Sequence, residues 1–283
     1  MTKAVTKPVL LTGATGFVGR QILRALLNEG KRVRLVVRTG HDDALASQEG
    51  IERVVVTTPD LFAESADWWQ ETCKGVDTLI HAAWYAEPGK YLASPKNLDC
   101  LAGTIAMAQG AMAAGLRRFV GVGTCFEYDV SAGDLTTDTP LAPQSPYAGA
   151  KAAAFLALSQ ALPVQNMEFA WCRLFYLYGE GEDARRFVPY LRGQLEKGEV
   201  AELTSGKQWR DFMDVRRAGD MIAQAAMGKV TGAVNVCSGQ AITIRQLAER
   251  IADEYDRRDL LKFGARPDNL VDPPRVVGVP TVL

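Results

Sequence analysis

The sequence predicts an α/β fold with a doubly wound parallel sheet and a small C-terminal region added to it. Three observations carry this. Short apolar runs alternate with helical patterns through the first half of the chain, the rhythm of βαβ units. A glycine-rich turn joins the first apolar run to the first helical pattern. After Tyr178 the rhythm breaks, and irregular segments and isolated helices fill the rest.

In chain order, Pro8–Thr12 reads as a buried strand. Gly16–Glu29 reads as a helix, with Phe17, Ile22, Leu23, Leu26 and Leu27 on one side and Gly30 as its stop. Val33–Val37, Val54–Val56 and Thr78–Ala82 supply the next strands. An Ala-rich helix spans Asn97–Ala114, and Phe119–Val122 is the fifth strand. A second Ala-rich helix starts near Tyr147 and is expected to end before Pro163, since proline lacks the N–H a helix interior uses. Phe169–Leu174 is the sixth strand. Beyond it, Gly, Arg and Glu dominate Gly179–Arg186. Pro189–Lys197, Ala218–Met227 and Ile244–Tyr255 read as helices, and Pro273–Leu283 as irregular. Residues 1–174, with returns near 211–238, are assigned to the main sheet domain. Residues 175–283 are assigned mainly to a region that covers its site.

The chain has 283 residues, enough for one large α/β domain with an appendage, and its net charge is −1. That balance gives no basis for nucleic acid or an anionic membrane as partner. No apolar run spans a bilayer, and Met1–Pro8 is too short and polar for a secretory signal. The five cysteines, Cys73, Cys100, Cys125, Cys172 and Cys237, are widely spaced with no CxxC, as expected of free thiols in a reducing cytoplasm. With only His41 and His81 available, no His/Cys metal site is expected.

The turn reads Thr12-Gly-Ala-Thr-Gly-Phe-Val-Gly19 between strand and helix. Glycine permits the tight turn and lets backbone approach a pyrophosphate, while the helix N-terminus offers unpaired N–H groups and a positive dipole end. The strand–turn–helix setting is the context such a motif requires for a dinucleotide. The second strand ends at Val37-Arg38. An acid there holds the ribose 2′-hydroxyl of NAD, whereas arginine suits the 2′-phosphate of NADP. Arg38 therefore points to NADP(H), or else is a solvated arginine at a strand end. Arg34 is a second source of charge, and Asp42 and Asp43 nearby keep NAD open.

Tyr147 and Lys151 stand four apart at the start of a helix and share a face. A neighbouring ammonium stabilises phenolate, so such a pair passes a proton to or from an alcohol while a nicotinamide exchanges hydride. Thr124 follows the fifth strand, at the carboxyl end where open α/β sheets bind ligands, and its hydroxyl suits the reacting oxygen. The plainer reading of Tyr147 and Lys151 is a surface pair one turn apart.

Together these segments resemble the extended short-chain dehydrogenase/reductase family. The resemblance rests on the glycine turn, His81-Ala-Ala83, Gly123-Thr-Cys-Phe-Glu-Tyr128, Tyr147-Ala-Gly-Ala-Lys151, Arg173-Leu-Phe-Tyr-Leu-Tyr-Gly179, Gly206-Lys-Gln-Trp-Arg-Asp-Phe212 and Asn235-Val-Cys-Ser-Gly239, in the family's order. It implies a Rossmann domain with a small C-terminal substrate domain, acting most often on nucleotide-diphosphate sugars. It implies catalytic roles for Thr124, Tyr147 and Lys151. It implies cofactor contacts from Gly13, Thr15, Gly16, Phe17, Val18, Gly19, Arg38, Asp60, His81, Ala82, Ala83, Tyr147 and Lys151. Substrate contacts fall on Cys125, Phe126, Tyr176, Arg186 and Arg210, with Arg210 reaching the diphosphate. The competing reading of Arg210 is a structural ion pair with Asp211 or Asp214.

Departures narrow the activity. Sugar 4,6-dehydratases follow the catalytic Thr with Asp-Glu; here Cys125-Phe126 stands there, which argues against a dehydratase. No histidine lies near Cys125 to activate it, so packing or substrate contact fits it better than nucleophilic attack. Tyr176 and Cys100 occupy positions where relatives often carry Asn, and the final Leu-Gly-Trp helix of relatives is expected to be missing. Arg38 tilts the choice toward an NADPH-dependent 4-ketoreductase of a 4-keto-6-deoxy sugar over a 4-epimerase that retains NAD. A cofactor-binding sensor or scaffold without turnover is the third reading. The two Ala-rich helices, equivalent to those through which relatives form a four-helix bundle, imply a homodimer. Their small residues serve equally to seat the helices on the sheet. Trp68-Trp69 is read as packing rather than a partner patch.

Overall fold

A computed structural model describes residues 7–41, 49–51, 56–269 and 272–283. The chain runs β1 (Val9–Thr12), α1 (Phe17–Asn28), β2 (Val33–Arg38), β3 (Val56–Thr58), α2 (Ala66–Cys73), β4 (Thr78–His81), α3 (Lys96–Ala113) and β5 (Arg118–Thr124). It continues through β6 (Asp134–Leu135), α4 (Pro146–Val164), β7 (Glu168–Leu174), β8 (Tyr176–Tyr178), α5 (Phe187–Lys197), β9 (Ala201–Leu203) and β10 (Trp209–Asp214). The last elements are α6 (Val215–Met227), β11 (Gly232–Val236), β12 (Ala241–Thr243), α7 (Ile244–Asp253), β13 (Leu261–Phe263) and β14 (Arg275–Gly278).

Seven strands pair in parallel in the order β3-β2-β1-β4-β5-β7-β11, so the expected doubly wound sheet is present. Strand alternation sorts its two faces. Leu11, Leu35, Ile80, Val120, Val122, Ala170 and Cys172 pack under α1 and α6. Leu10, Leu79, Phe119, Phe169 and Trp171 face α2, α3 and α4. Both faces are covered, which is why these strands read as continuous apolar runs. Trp69 is fully buried and meets Trp68 edge-on at 4.8 Å, the packing role expected for it.

Glycines set two helix contacts. A Cβ on Gly219 of α6 would lie 2.6 Å from the Gln21 backbone of α1, and one on Gly110 of α3 2.4 Å from Ala66 O in α2. Part of the small face of α3 therefore serves the chain's own packing.

Beside the main sheet, β12-β10-β14-β6 form a second sheet, with β8 also pairing β10, and β9 pairs β13. A separate core joins Val188, Leu191 and Leu195 of α5 to Ala248, Ile251 and Ala252 of α7. Main-sheet returns after residue 174 are α6, which packs against it, and β11 within it.

Two sequence expectations are corrected. Helix α4 runs through Pro163 to Val164. A proline so near the end removes one ladder bond in the final turn, and Gln165, Asn166 and Met167 N–H groups satisfy the carbonyls of Leu162 and Pro163. The segment after Pro273 is not irregular throughout: Arg275–Gly278 pairs in parallel with β10 and β6. The buried Asn235 fixes it, donating from Nδ2 to Leu135 O at 2.9 Å and Val279 O at 3.2 Å. Of the predicted third strand, Val56 is in β3, while Val54 and Val55 lie outside the described residues.

Candidate active site

Because the strands of the main sheet are parallel, Thr12, Arg38, His81 and Thr124 end on one edge. The chain order reverses between β1 and β4, the crevice where such sheets bind ligands. Gly13 sits there at φ +77°, and a Cβ on it would lie 2.7 Å from Ala83 N. A Cβ on Gly19 would lie 1.9 Å from Gly13 O. These two glycines let the turn fold onto itself and onto the Ala82-Ala83 backbone. Thr15 and Gly16 are exposed, with Phe17 and Val18 half-buried behind them. No side chain caps α1, and its first turn holds no acid. The turn is therefore a cradle that leaves the first N–H groups of α1 without a side-chain cap, and it fits a dinucleotide pyrophosphate.

His81 ends β4 beside this turn, and both of its ring nitrogens have protein partners. Its ring is buried, with Nδ1 2.8 Å from Thr12 Oγ1 and Nε2 3.0 Å from Thr104 Oγ1. Thr104 donates its own proton to Cys100 O, so it accepts from Nε2–H, and Nδ1 accepts from Thr12. Burial and the nearby Lys151 charge push the imidazole down to about 3. His81 is a neutral link between β1, β4 and α3.

Arg38 is exposed at the end of β2. Arg34 is not part of this edge: it donates to Thr72 O at 2.7 Å and Lys74 O at 2.8 Å, at the carboxyl end of α2. Asp60, just past β3, is exposed and accepts from Phe62 N–H at 3.0 Å. Asp42 and Asp43 lie outside the described residues.

Tyr147 opens α4, where Ser145 caps the helix by accepting from Ala148 N–H at 3.2 Å and Pro146 starts it. Its ring meets Tyr91 edge-on at 4.8 Å and Trp84 at 6.5 Å. Burial pushes its phenol far up, and the Thr124 hydroxyl beside it pulls it partly back. Thr124 is buried at the end of β5; its Oγ1 accepts from Phe126 N–H, and its own N–H donates to Glu127 Oε1 at 2.8 Å. Lys151 is buried one turn along α4 and donates from Nζ to Val122 O. Burial brings its ammonium down to about 7, with Glu127 and Cys100 acting in the opposite direction. The pair is not on the surface.

On the other side of Thr124, Phe126 meets Tyr176 edge-on at 6.1 Å, and Tyr176 meets Phe212 at 5.5 Å. Cys125 is buried and its thiol is pushed far up by burial, which does not suit it to nucleophilic attack. Arg186 is exposed at the start of α5, its guanidinium 6.0 Å from the Tyr91 ring centroid. Arg210 lies over Tyr176 at 5.2 Å. Its partner is neither Asp211 nor Asp214 but Asp272, at 2.7 Å. Asp211 instead accepts from the backbone of Ser238 and Gly239, and Asp214 caps α6.

A profile of the NAD dependent epimerase/dehydratase family matches residues 9–237. The chain belongs to this family. It is 25% identical, over 95% of its length and 98% of the relative's, to a dTDP-6-deoxy-L-talose 4-dehydrogenase (NAD(+)) of Aggregatibacter actinomycetemcomitans. A dTDP-glucose 4,6-dehydratase of Streptomyces griseus is 26% identical over 86% of this chain and 77% of that one. Among solved structures, a UDP-N-acetylglucosamine 4-epimerase from Methanobrevibacter ruminantium superposes with a TM-score of 0.84. It is 20% identical and covers 97% of this chain and 90% of that chain. The dTDP-glucose 4,6-dehydratase from Streptomyces venezuelae, solved with NAD bound, gives a TM-score of 0.80 at 23% identity over 96% and 88%. These superpositions establish the fold.

This member of the epimerase/dehydratase family carries features around its site that sequence reasoning missed. Glu127 is fully buried beneath Thr124, and besides Thr124 N–H it accepts from Trp171 Nε1 at 3.0 Å and Arg173 Nε at 2.7 Å. Gly121 and Gly123 make the room, since a Cβ on Gly123 would lie 2.2 Å from Trp171 Nε1 and 2.4 Å from Glu127 Oε1. The alternate glycines of β5 are the one sequence signal of it. Trp84, directly after His81-Ala-Ala83, carries no such signal, and its indole N–H is held by Asn97 Oδ1 at 2.9 Å.

Proposed function

We propose that the chain is an NAD(P)-dependent oxidoreductase of nucleotide-diphosphate sugars, and specifically a 4-ketoreductase of a 4-keto-6-deoxy sugar that uses NADPH. The observation that carries this is the placing of the Tyr147 phenol beside the Thr124 hydroxyl, at the strand end next to the glycine cradle. In this reading Gly13, Thr15, Gly16, Phe17, Val18 and Gly19 hold the pyrophosphate, Ala82 and Ala83 line the crevice, and Asp60 and Arg38 face the adenosine end. The bound nicotinamide supplies the hydride chemistry. Tyr147 donates the proton to the substrate oxygen, Thr124 holds that oxygen by a hydrogen bond, and Lys151 fixes the ribose and favours the tyrosinate left behind.

The relative named for oxidation at C4 of a 6-deoxy sugar supports the reaction class, read in the reducing direction. That same name carries NAD(+), so the preference for NADPH rests on Arg38 alone. Residues 1–174 with the returns near 211–238 would hold cofactor. The region 175–283 would hold substrate, with Phe126 and Tyr176 as a wall and Arg186 and Arg210 toward the diphosphate.

The chain is further proposed to be a cytoplasmic homodimer. Its five cysteines are free and buried, and no helix of the described residues is long and apolar enough to cross a membrane. Leu98 of α3 and Leu156 of α4 are 68% and 56% exposed on neighbouring helices, an apolar strip for a second copy to cover.

The test is Tyr147→Phe. The variant is expected to lose turnover by roughly three orders of magnitude or more and to bind dinucleotide as the parent chain does. Turnover within a few-fold of the parent would remove the assignment.

A further inference from the structure

The Lys151 ammonium is buried at 2% exposure, yet no carboxylate among the described residues pairs with it. A buried cation without an ion-pair partner has to be compensated in some other way. Val122 O accepts one of its protons. Close to Nζ lies the face of Trp84, whose ring centroid is 3.8 Å away, with Trp171 further off at 5.8 Å. A ring face at that distance attracts a cation through its quadrupole, and more strongly where water is excluded.

Trp84 is itself held rigidly. Its N–H donates to Asn97 Oδ1 at 2.9 Å. Asn97 is fully buried at the start of α3 and donates from Nδ2 to Tyr91 O at 2.7 Å and Ser94 O at 2.9 Å. The same indole meets the Tyr147 ring edge-on at 6.5 Å. One side chain thus touches both Lys151 and Tyr147, and Asn97 ties it to the turn that carries Tyr91 against Tyr147.

We infer that Trp84 is a positioning residue for the Tyr147–Lys151 pair: its ring face keeps the Lys151 ammonium charged at the end of β5, and its edge sets the Tyr147 ring. This rests on the catalytic roles proposed for the pair, but the state of Lys151 is measurable without substrate. The other groups facing Lys151 are Glu127 after β5, Cys100 from α3 and His81 from β4, with Tyr147 one turn earlier on α4. Glu127 favours the ammonium, while His81 stays neutral and contributes no charge. Burial opposes the ammonium, so loss of the ring face has to lower its titration further.

The experiment is a carbon-13 titration of the full chain with labelled lysine, from about pH 5 to about pH 10. The Lys151 Cε signal is assigned by its loss in Lys151→Met. Trp84→Leu is expected to lower the midpoint by roughly one pH unit, and Trp84→Phe, which keeps a ring face, to move it by no more than roughly a third of that. Should Trp84→Leu fail to fold, Trp84→Met fills the space with a flexible chain and carries the same expectation. An unchanged midpoint in a folded Leu or Met variant overturns the inference. So does an equal shift in the Phe variant, because the lost Asn97 bond would then be the cause. The expected shifts in a chain that turns over no nucleotide sugar would uphold the role of Trp84 at Lys151 and remove only the proposed substrate.

Discussion

Arg210 and Asp272 form an ion pair at 2.7 Å in which the guanidinium is 2% exposed and the carboxylate 34%. The arginine that the family resemblance aims at a diphosphate is therefore already neutralised by a residue close to the chain's end. Either the pair is structural, or Asp272 yields its place to substrate.

Asp272→Asn separates the two. Removing one partner of a buried pair leaves a charge uncompensated, here discounted because Asp272 is a third exposed, so the variant is expected to lose about 1–2 kcal/mol of stability. If Arg210 takes the diphosphate in place of Asp272, saturating nucleoside diphosphate stabilises the variant by more than it stabilises the parent chain in a denaturation experiment. If the pair is structural, the ligand stabilises both equally and the difference between them remains.

His81 makes a pH prediction. Its native value of about 3 lies below the ordinary value near 6.5, so between these limits the unfolded chain binds a proton that the native chain refuses. Stability attributable to neutral His81 is full above about pH 6.5 and is lost as pH falls, the loss reaching about 2 kcal/mol by about pH 5. The other histidine, His41, is exposed. Glu182, whose carboxyl burial raises to about 7, adds an opposite slope in the same range, so the test is the difference: the stability gap between the parent chain and His81→Gln should shift by about 2 kcal/mol from about pH 6.5 to about pH 5, and proton NMR should find the His81 imidazole still neutral at about pH 5.

Arg38→Ala tests the cofactor preference. Loss of a guanidinium from a 2′-phosphate is expected to raise the dissociation constant for NADPH by roughly ten-fold or more and to leave that for NADH within roughly two-fold. No change for either, measured by nicotinamide fluorescence, would assign Arg38 to solvent, and an equal loss for both would place it on a part the two cofactors share.

Leu98→Glu combined with Leu156→Glu tests the dimer. Both side chains are exposed in the single chain, so the variant should still fold, while sedimentation should show a monomer where the parent chain is a dimer. A monomeric parent would remove the dimer proposal.

What the sequence disclosed, it disclosed through local pattern. The strand–turn–helix around Gly13 and Gly19, the apolar runs of β1, β2, β4, β5 and β7, and the placing of Tyr147 and Lys151 on one helix all follow from spacing within a few residues. The misses are long-range. Nothing near Arg210 names Asp272 as its partner, and nothing near His81 shows that Thr12 and Thr104 consume both ring nitrogens. Val276 and Val277 read as an irregular tail because their partners in β6 and β10 lie far away in sequence. Glu127 looks like an ordinary charged residue until Gly121 and Gly123 are seen to admit Trp171 and the carboxylate behind the strand. Pro163 misleads for a local reason, because proline breaks a helix interior but not its last turn.

The most direct test of the proposed activity is to follow the reduced-nicotinamide absorbance when the purified chain meets NADPH and a panel of nucleotide-linked 4-keto-6-deoxy sugars. The account predicts stoichiometric loss of NADPH with one member of the panel. No loss with any of them, from protein shown to bind NADPH, would contradict the reductase and favour an epimerase that keeps its cofactor or a substrate outside this class.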